Sequence, residues 1–544
     1  MKKLRLLIVK GVRFHDEDVE GDRFHDEDVE GPCFLSNELQ YISYNNYPGS
    51  PFPADFQPMK LVVLTLRNTL QKELWQDYKR LPQLKKLTIE YSKKLVSTPN
   101  FDGFPSLEYL KLHHCDSLEA IHPSLGNCNS LVNLFVNKCK KLRTFPTIVC
   151  MKNLEILEII KCQALVKFPE IQASMDSLKK LIMKNVGIEV LPASSIGYYC
   201  TNLIFLKLTD CEKLRRIEGN FHASKHLEKL KIKNKHKLEK LPNDLFSVCV
   251  CNLKRLDLSD CKLEDGEIPC SVGELFNLIK LDLSGNNFSR LHFSLLKLTR
   301  LKALNLSDCN KLLTFPELPS NVDLFLGYNS DSLESMGDFY KNCKSLSLVF
   351  LAESNDVSGA EGLLQCMLHG KAINHHMVLC VDGLEIPKTF KPPLLEGSRC
   401  RLQLPKNWYN DFSGFLMCAV LTEDDAPDIN LKHEQSNTMG MNFEAELWNE
   451  CNDDDYVTSV SYVSFDSLRH TTWWDSNSNA VSFSFEGCQN IWCSGFGVKL
   501  VARENESVTT ETATDSSEFW EDEDDYTFKF NFVDDTKSSL KLRC

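Results

Sequence analysis

Leucine and its apolar substitutes return along the first part of the chain in the order Leu-x-x-Leu-x-Leu. The pattern is complete at Leu107-x-x-Leu110-x-Leu112, Leu203-x-x-Leu206-x-Leu208, Leu253-x-x-Leu256-x-Leu258 and Leu301-x-x-Leu304-x-Leu306. Related units begin at Leu61, Leu84, Leu131, Leu154, Leu178, Leu227 and Leu278, and successive starts from Leu61 lie 23, 23, 24, 23, 24, 25, 24, 26, 25 and 23 residues apart. Inside each unit, alternation of apolar and polar positions predicts a short strand with one buried face. A second apolar group follows, as at Leu118 and Ile121 or Leu142 and Phe145, and Pro146, Pro169, Pro242 and Pro316 close several of these groups. Proline cannot donate to a central ladder, so this half of each unit is a return arm. A unit this short cannot bury its own apolar face, and the predicted product is a stack of coils sharing one parallel sheet.

That is the pattern of an α/β leucine-rich-repeat solenoid, a horseshoe with its parallel sheet on the concave face. Cys115, Cys139, Cys162, Cys211, Cys261 and Cys309 each stand three places after the third core residue, where Asn286 stands in another unit. A small side chain turned inward suits that bend, whether an amide that donates and accepts or a thiol that packs as a small hydrophobe. A metal ladder is the weaker alternative, because the spacing is one per repeat without Cys-x-x-Cys pairs. Two further units, Leu4-x-x-Leu7-x-Val9 and Leu39-x-x-Ile42-x-Tyr44, precede Leu61; the second lies 22 residues before it, but the step between the two is 35. Residues 13–21 (RFHDEDVEG) recur unchanged as 23–31, and removing one ten-residue copy restores a step of 25. The duplicated acidic stretch 13–31 therefore reads as an insertion into a connection, in a repeat domain of about 13–14 units over residues 1–335. Met1 falls directly before a core strand, so the chain is expected to be the back part of something longer.

The character changes beyond this domain. Six of the seven tryptophans lie after residue 400, among short β-rich runs separated by Gly, Pro, Asn and Asp. These predict an all-β jelly-roll, β-sandwich or Ig-like domain over 376–544, with 336–375 as a transition. Residues 1–330 carry 46 basic and 39 acidic side chains, a balance of +7, whereas 331–544 carry 16 and 36, a balance of −20. No apolar run is long enough for a spanning helix. The opening MKKLRLLIVK is too short for a secretory signal. A cytoplasmic location, with the nucleus as a second, and reduced cysteines are expected.

No Gly-x-x-x-x-Gly-Lys-Ser/Thr loop, Gly-x-Gly-x-x-Gly or His-Glu-x-x-His is present, so no catalytic residue, cofactor or metal is assigned. The outward strand positions are more informative. By alternation, Lys180, Lys184, Phe205, Lys207, Lys229, Lys231, Lys233 and Arg255 form a basic stripe, flanked by Phe135 and Ile156. Mutual repulsion of these lysines leaves partner binding as their motive; a solvated face is the competing reading. Nucleic acid is disfavoured by the acidic whole and the sparse aromatic interleaving.

Several motifs go beyond a generic repeat. Leu35-Ser36-Asn37-Glu38-Leu39-Gln40-Tyr41-Ile42, Thr98-Pro99-Asn100-Phe101 and His122-Pro123-Ser124-Leu125-Gly126 resemble the repeats of plant TIR–nucleotide-binding–leucine-rich-repeat disease-resistance proteins. Gly383-Leu384-Glu385-Ile386-Pro387, Leu402-Gln403-Leu404-Pro405-x-x-Trp408 and Gly414-Phe415-x-x-Cys418 resemble the jelly-roll domain (C-JID) that follows those repeats. The resemblance implies the effector-recognition and autoinhibitory portion of an innate immune receptor, working by protein–protein contact. Its implied partners are a pathogen effector and the nucleotide-binding domain of the same or another receptor. Glu385, Ile386, Pro387 and Trp408 become candidate contact residues, although Lys388-Thr389-Phe390 stands where a Trp-Phe pair is common in the family. The TIR and nucleotide-binding portions, which supply NAD⁺ hydrolysis and ADP or ATP binding in the family, have no counterpart among the motifs. An extracellular receptor-like protein is the alternative, imitated by Gly266-Glu267-Ile268-Pro269.

Overall fold

The computed structural model describes residues 4–10, 32, 34–48, 50–75, 78–221, 224–236, 238–246, 252–351, 358–369, 376–382, 399–423, 456–469, 476, 480–486, 491–503, 527–532 and 540–543. The chain divides into two compact units, Met1–Phe293 and Ser294–Cys544. The duplicated stretch 13–31 lies outside the described residues.

The first unit contains strands β1 (Leu6–Val9), β2 (Tyr41–Asn45), β3 (Val63–Arg67), β4 (Lys86–Glu90), β5 (Tyr109–His113), β6 (Asn133–Asn137), β7 (Ile156–Ile160), β8 (Lys180–Lys184), β9 (Val190–Pro192), β10 (Phe205–Thr209), β11 (Arg216–Glu218), β12 (Lys229–Lys233), β13 (Arg255–Asp257) and β14 (Lys280–Asp282). All but β9 and β11 join one parallel ladder, in which equivalent positions of successive repeats are in register. Leu87, Leu110, Leu134, Leu157, Leu181, Leu206, Leu230, Leu256 and Leu281 thus form one buried row, none more than 2% exposed. Full burial of each such side chain contributes about 1.5–3 kcal/mol. Pairing of Leu7 with Ile42 and Val9 with Tyr44 is the register expected for the first two units.

Most coils leave their strand through a left-handed residue, among them Tyr91, His114, Lys138, Lys161, Asn185, Asp210, Asp260 and Gly285, with φ between 52° and 65°. The next residue but none turns inward. Cys115, Cys139, Cys162, Cys211 and Cys261 are buried, and their Sγ atoms donate weakly to strand carbonyls, as from Cys261 to Ile232 at 3.2 Å. Asn286 does more: Nδ2 donates to the carbonyls of Leu258 and Leu283 at 2.9 and 2.8 Å, while Oδ1 accepts the Leu263 amide at 3.0 Å. Cys309, at the same place in the second unit, is also buried. The return arms pack as closely as the strands. Gly126 lies against the Thr147 carbonyl, where any Cβ would collide.

The second unit holds β15 (Ala303–Asn305), β16 (Leu324–Leu326), β17 (Leu348–Phe350), β18 (His376–Asp382), β19 (Arg399–Gln403), β20 (Phe412–Glu423), β21 (Tyr456–Ser464), β22 (Ala480–Glu486), β23 (Ile491–Ala502), β24 (Thr527–Phe532) and β25 (Leu540–Arg543). Strands β15 to β18 are parallel, and β18 pairs on its other side with β21 in antiparallel fashion. Strands β20 and β23 complete that sheet, and a second antiparallel sheet runs β19–β22–β24–β25. The stretch 336–375, read from the sequence as a transition, contains β17 and an eleven-residue helix, Ser358–Leu368. Here the outward strand positions turn apolar: Ala303, Leu324, Leu326, Phe350, Val378 and Cys380 form one buried cluster.

Candidate functional site

Register converts the outward positions of the first unit into rows. Along the first row, β3 to β14 present Val63, Lys86, Tyr109, Asn133, Ile156, Lys180, Phe205, Lys229, Arg255 and Lys280. The second row runs Thr65, Thr88, Lys111, Phe135, Glu158, Ile182, Lys207, Lys231, Asp257 and Asp282. A third contains Arg67, Glu90, His113, Asn137, Ile160, Lys184, Thr209 and Lys233. The parallel ladder, with strands about 4.8 Å apart, holds these side chains as a continuous surface.

The candidate residues therefore share one face, but they do not share one electrostatic state. Lys231 is ion-paired with Asp257, Lys233 with Asp260 at 3.1 Å, and Lys184 with Asp210 at 3.6 Å. The expectation of mutually repelling, uncompensated lysines is corrected here. The carboxylates come from the next repeat or from the left-handed turn positions, which single-repeat reading does not bring beside the lysines. Burial alone would lower the Lys233 pKa, and Asp260, helped by Asp257 and Asp282, more than offsets it, leaving the ammonium above its usual value. Lys207 moves the other way: burial, then Lys231 and Lys184, lower it. Asp282 is raised by burial and by the neighbouring Asp257 carboxylate. Among the described residues, none of Lys180, Lys229 and Arg255 has a carboxylate at ion-pair distance.

Phe135 and Ile156 belong to a wider apolar centre. The Tyr109 and Phe135 rings lie 5.5 Å apart, and the Lys86 ammonium sits 4.6 Å from the Tyr109 centroid. Ile156, Ile160, Ile182 and Phe205 continue this half-buried surface across β7, β8 and β10. Lys111 flanks it on one side, paired at 2.7 Å with Glu90, which also takes Arg67 at 2.7 Å. The sequence reading does not single out Tyr109, Lys86 and Lys280; the same alternation, carried two repeats back from Phe135 and one forward from Arg255, marks them. Thr209 and Ser259, by contrast, are buried and offer a partner nothing.

The candidates in the second unit fare differently. Glu385, Ile386 and Pro387 lie outside the described residues. Trp408 is corrected from a contact residue to a core anchor. It is 2% exposed, its ring 4.8 Å from Phe465 and stacked on Phe415, which in turn meets Phe483 of the second sheet at 5.1 Å. A large ring on a short strand-to-strand connection fills the space between sheets. Burial sets two of the ladder thiols apart from reactive chemistry as well: it pushes Cys211 up to about 11 and Cys261 up to about 12. No helix of the described residues is long and apolar enough to cross a membrane.

Comparison with known proteins agrees with this architecture. Residues 381–507 match the C-JID domain, and 252–275 and 277–298 match the Leucine Rich Repeat. TMV resistance protein N of Nicotiana glutinosa is 30% identical over 445 residues, 71% of this chain and 39% of that protein. Disease resistance-like protein DSC1 of Arabidopsis thaliana is 26% identical over 505 residues, 77% of this chain and 40% of that protein. A leucine-rich-repeat protein of Leptospira interrogans, of known structure, is 20% identical, with 62% of this chain and 89% of that one covered at a TM-score of 0.39. The chain spans about two fifths of the length of its plant relatives. Related at 30% identity over 71% of its length to a resistance protein and matching both the repeat and the C-JID models, the chain belongs to the plant disease-resistance protein family, of which it carries the leucine-rich-repeat and C-JID portion.

Proposed function

We propose that this chain is the effector-recognition portion of an intracellular plant immune receptor, acting by protein–protein binding and restraining the receptor until an effector is bound. The observation that carries the reading is the face just described, a half-buried apolar centre between two groups of cations on a rigid sheet. A protein-binding surface has that composition, aromatic and aliphatic at its centre with a charged rim. In the second unit the equivalent positions are already buried against the chain's own residues, so recognition is assigned to the first unit. No catalytic role is assigned to either unit, and the location proposed is the cytoplasm.

Exchange of this chain for the corresponding portion of a related resistance protein tests the reading. Effector range, scored as cell death in leaves, is expected to follow the exchanged portion. Effector range that stays with the remainder of the receptor, or NAD⁺ turnover above background by the purified chain, overturns it.

A further inference from the structure

We infer that the first row of the sheet docks a short acidic segment of a partner protein in which one bulky apolar side chain is flanked by carboxylates. The inference rests on the protein-binding reading and adds the chemistry of the partner.

Three observations lead there. First, the row carries no carboxylate from β1 to β14, while Asp and Glu occur in the second and third rows. Secondly, neighbouring cations are already matched within the chain. Lys184, Lys231 and Lys233 face Asp210, Asp257 and Asp260. At the entry to the strands, Lys179 and Lys254 face Glu155 and Glu228 at 3.1 and 2.8 Å. Within the row, Lys180, Lys229 and Arg255 have no carboxylate at ion-pair distance among the described residues. Thirdly, Phe205 is in register with Lys180 on one side and Lys229 on the other. An apolar seat thus lies between two cations, each about 4.8 Å away.

A ligand that fills this arrangement needs an aromatic or aliphatic anchor for Phe205 and Ile156, and carboxylates before and after it. The interval from Ile156 to Arg255 covers four strand steps, about 19 Å, the span of roughly six extended residues. Carboxylates would complete the cations, and removal of the anchor's apolar surface from water would supply the rest of the affinity. A nucleic acid strand would satisfy the cations alone. It requires bases stacked on successive rings, and Phe205 is the lone aromatic between Ile156 and Lys280 in the row.

The test uses the full chain and fluorescein-labelled peptides in anisotropy titrations at low and high salt. One peptide contains Asp-Glu-Phe-Asp-Glu, a second replaces its Phe by Ala, a third replaces its acids by Lys, and a single-stranded RNA of equal charge is the fourth probe. The first peptide is expected to bind, the second about tenfold more weakly and the third not measurably. Lys180→Ala, Lys229→Ala and Arg255→Ala combined should weaken the first peptide about tenfold, with the difference shrinking at high salt. Lys231→Ala with Lys233→Ala should change it little. Equal binding of the first two peptides, equal or tighter binding of RNA, or an effect of the Lys231/Lys233 pair matching that of the triple variant overturns the inference. So does failure of the first peptide to bind at all. The receptor exchange above reads recognition by any part of the chain, so it fails or succeeds separately. Unchanged far-ultraviolet circular dichroism of the variants verifies that each is folded.

Discussion

At the scale of single residues, one inward position per coil holds neighbouring turns together, and its occupants are not equivalent. Asn286 serves three carbonyls and an amide, whereas the cysteines donate only weakly at the same place. Asn286→Ala is expected to cost about 2–4 kcal/mol, since several buried backbone groups lose their partners. Cys261→Ala should cost less, and chemical denaturation of the two variants measures the difference. The left-handed turn before this position is occupied by Lys161 at φ 53° and Lys138 at φ 56°. Asn tolerates that conformation better than Lys, so Lys161→Asn should raise stability by about 0.5–1 kcal/mol in thermal unfolding. Glu90 contributes a pH dependence. Burial alone would raise its pKa, but Lys111 and then Arg67 hold it below the usual glutamate range. A depressed folded pKa stabilises above the unfolded value, and that contribution is lost as pH falls through the folded one. Glu90→Gln should therefore destabilise at neutral pH and reduce the loss of stability on acidification.

At the scale of elements, the strand registers were legible because the repeat period places every core leucine opposite its equivalent. The pairing of β1 with β2 extends this to the first coils, despite the 31 residues between Val9 and Tyr41 in sequence. Deleting residues 21–30, one period of the duplication, should leave the unfolding midpoint nearly unchanged, because halving a loop alters closure by only about 0.6 kcal/mol. A large fall would show that the duplicated residues pack. The alternation is less legible in the unit that begins at Val322, where Gly327 takes a core position. A Cβ there would meet the Phe315 ring at 2.7 Å. Phe315, Phe325 and Phe339 fill the space instead, with centroids 5.0–5.5 Å apart. Volume supplied from the return arm replaces the leucine that the period calls for.

At the scale of the molecule, the parallel ladder of the second unit runs into the antiparallel sheet without a break, because β18 pairs with β17 on one edge and β21 on the other. Leu326, Phe350 and Cys380 continue across that join as one buried row. A fragment starting at residue 376 would expose the edge of β18 and its apolar face, and exposed apolar edges recruit other chains. Such a fragment is expected to self-associate more strongly than one starting at residue 294, and sedimentation velocity compares them. Phe350→Asp in the longer fragment should raise its association toward that of the shorter one.

The repeat period by itself determined the parallel ladder, the buried leucine rows and the inward Cys and Asn positions. All of these follow from local spacing, since a 23–26-residue step allows only one stacking of apolar faces. It also located the outward stripe, because strand alternation is a local property. Only the tertiary structure decided which lysines of that stripe are already matched. Asp210 and Asp260 reach Lys184 and Lys233 from turns of the following repeat, at sequence separations where no helix or strand period operates. It likewise placed Trp408 between two sheets and buried the outward face of the second unit, because burial depends on what packs against a residue and alternation specifies only which way it points.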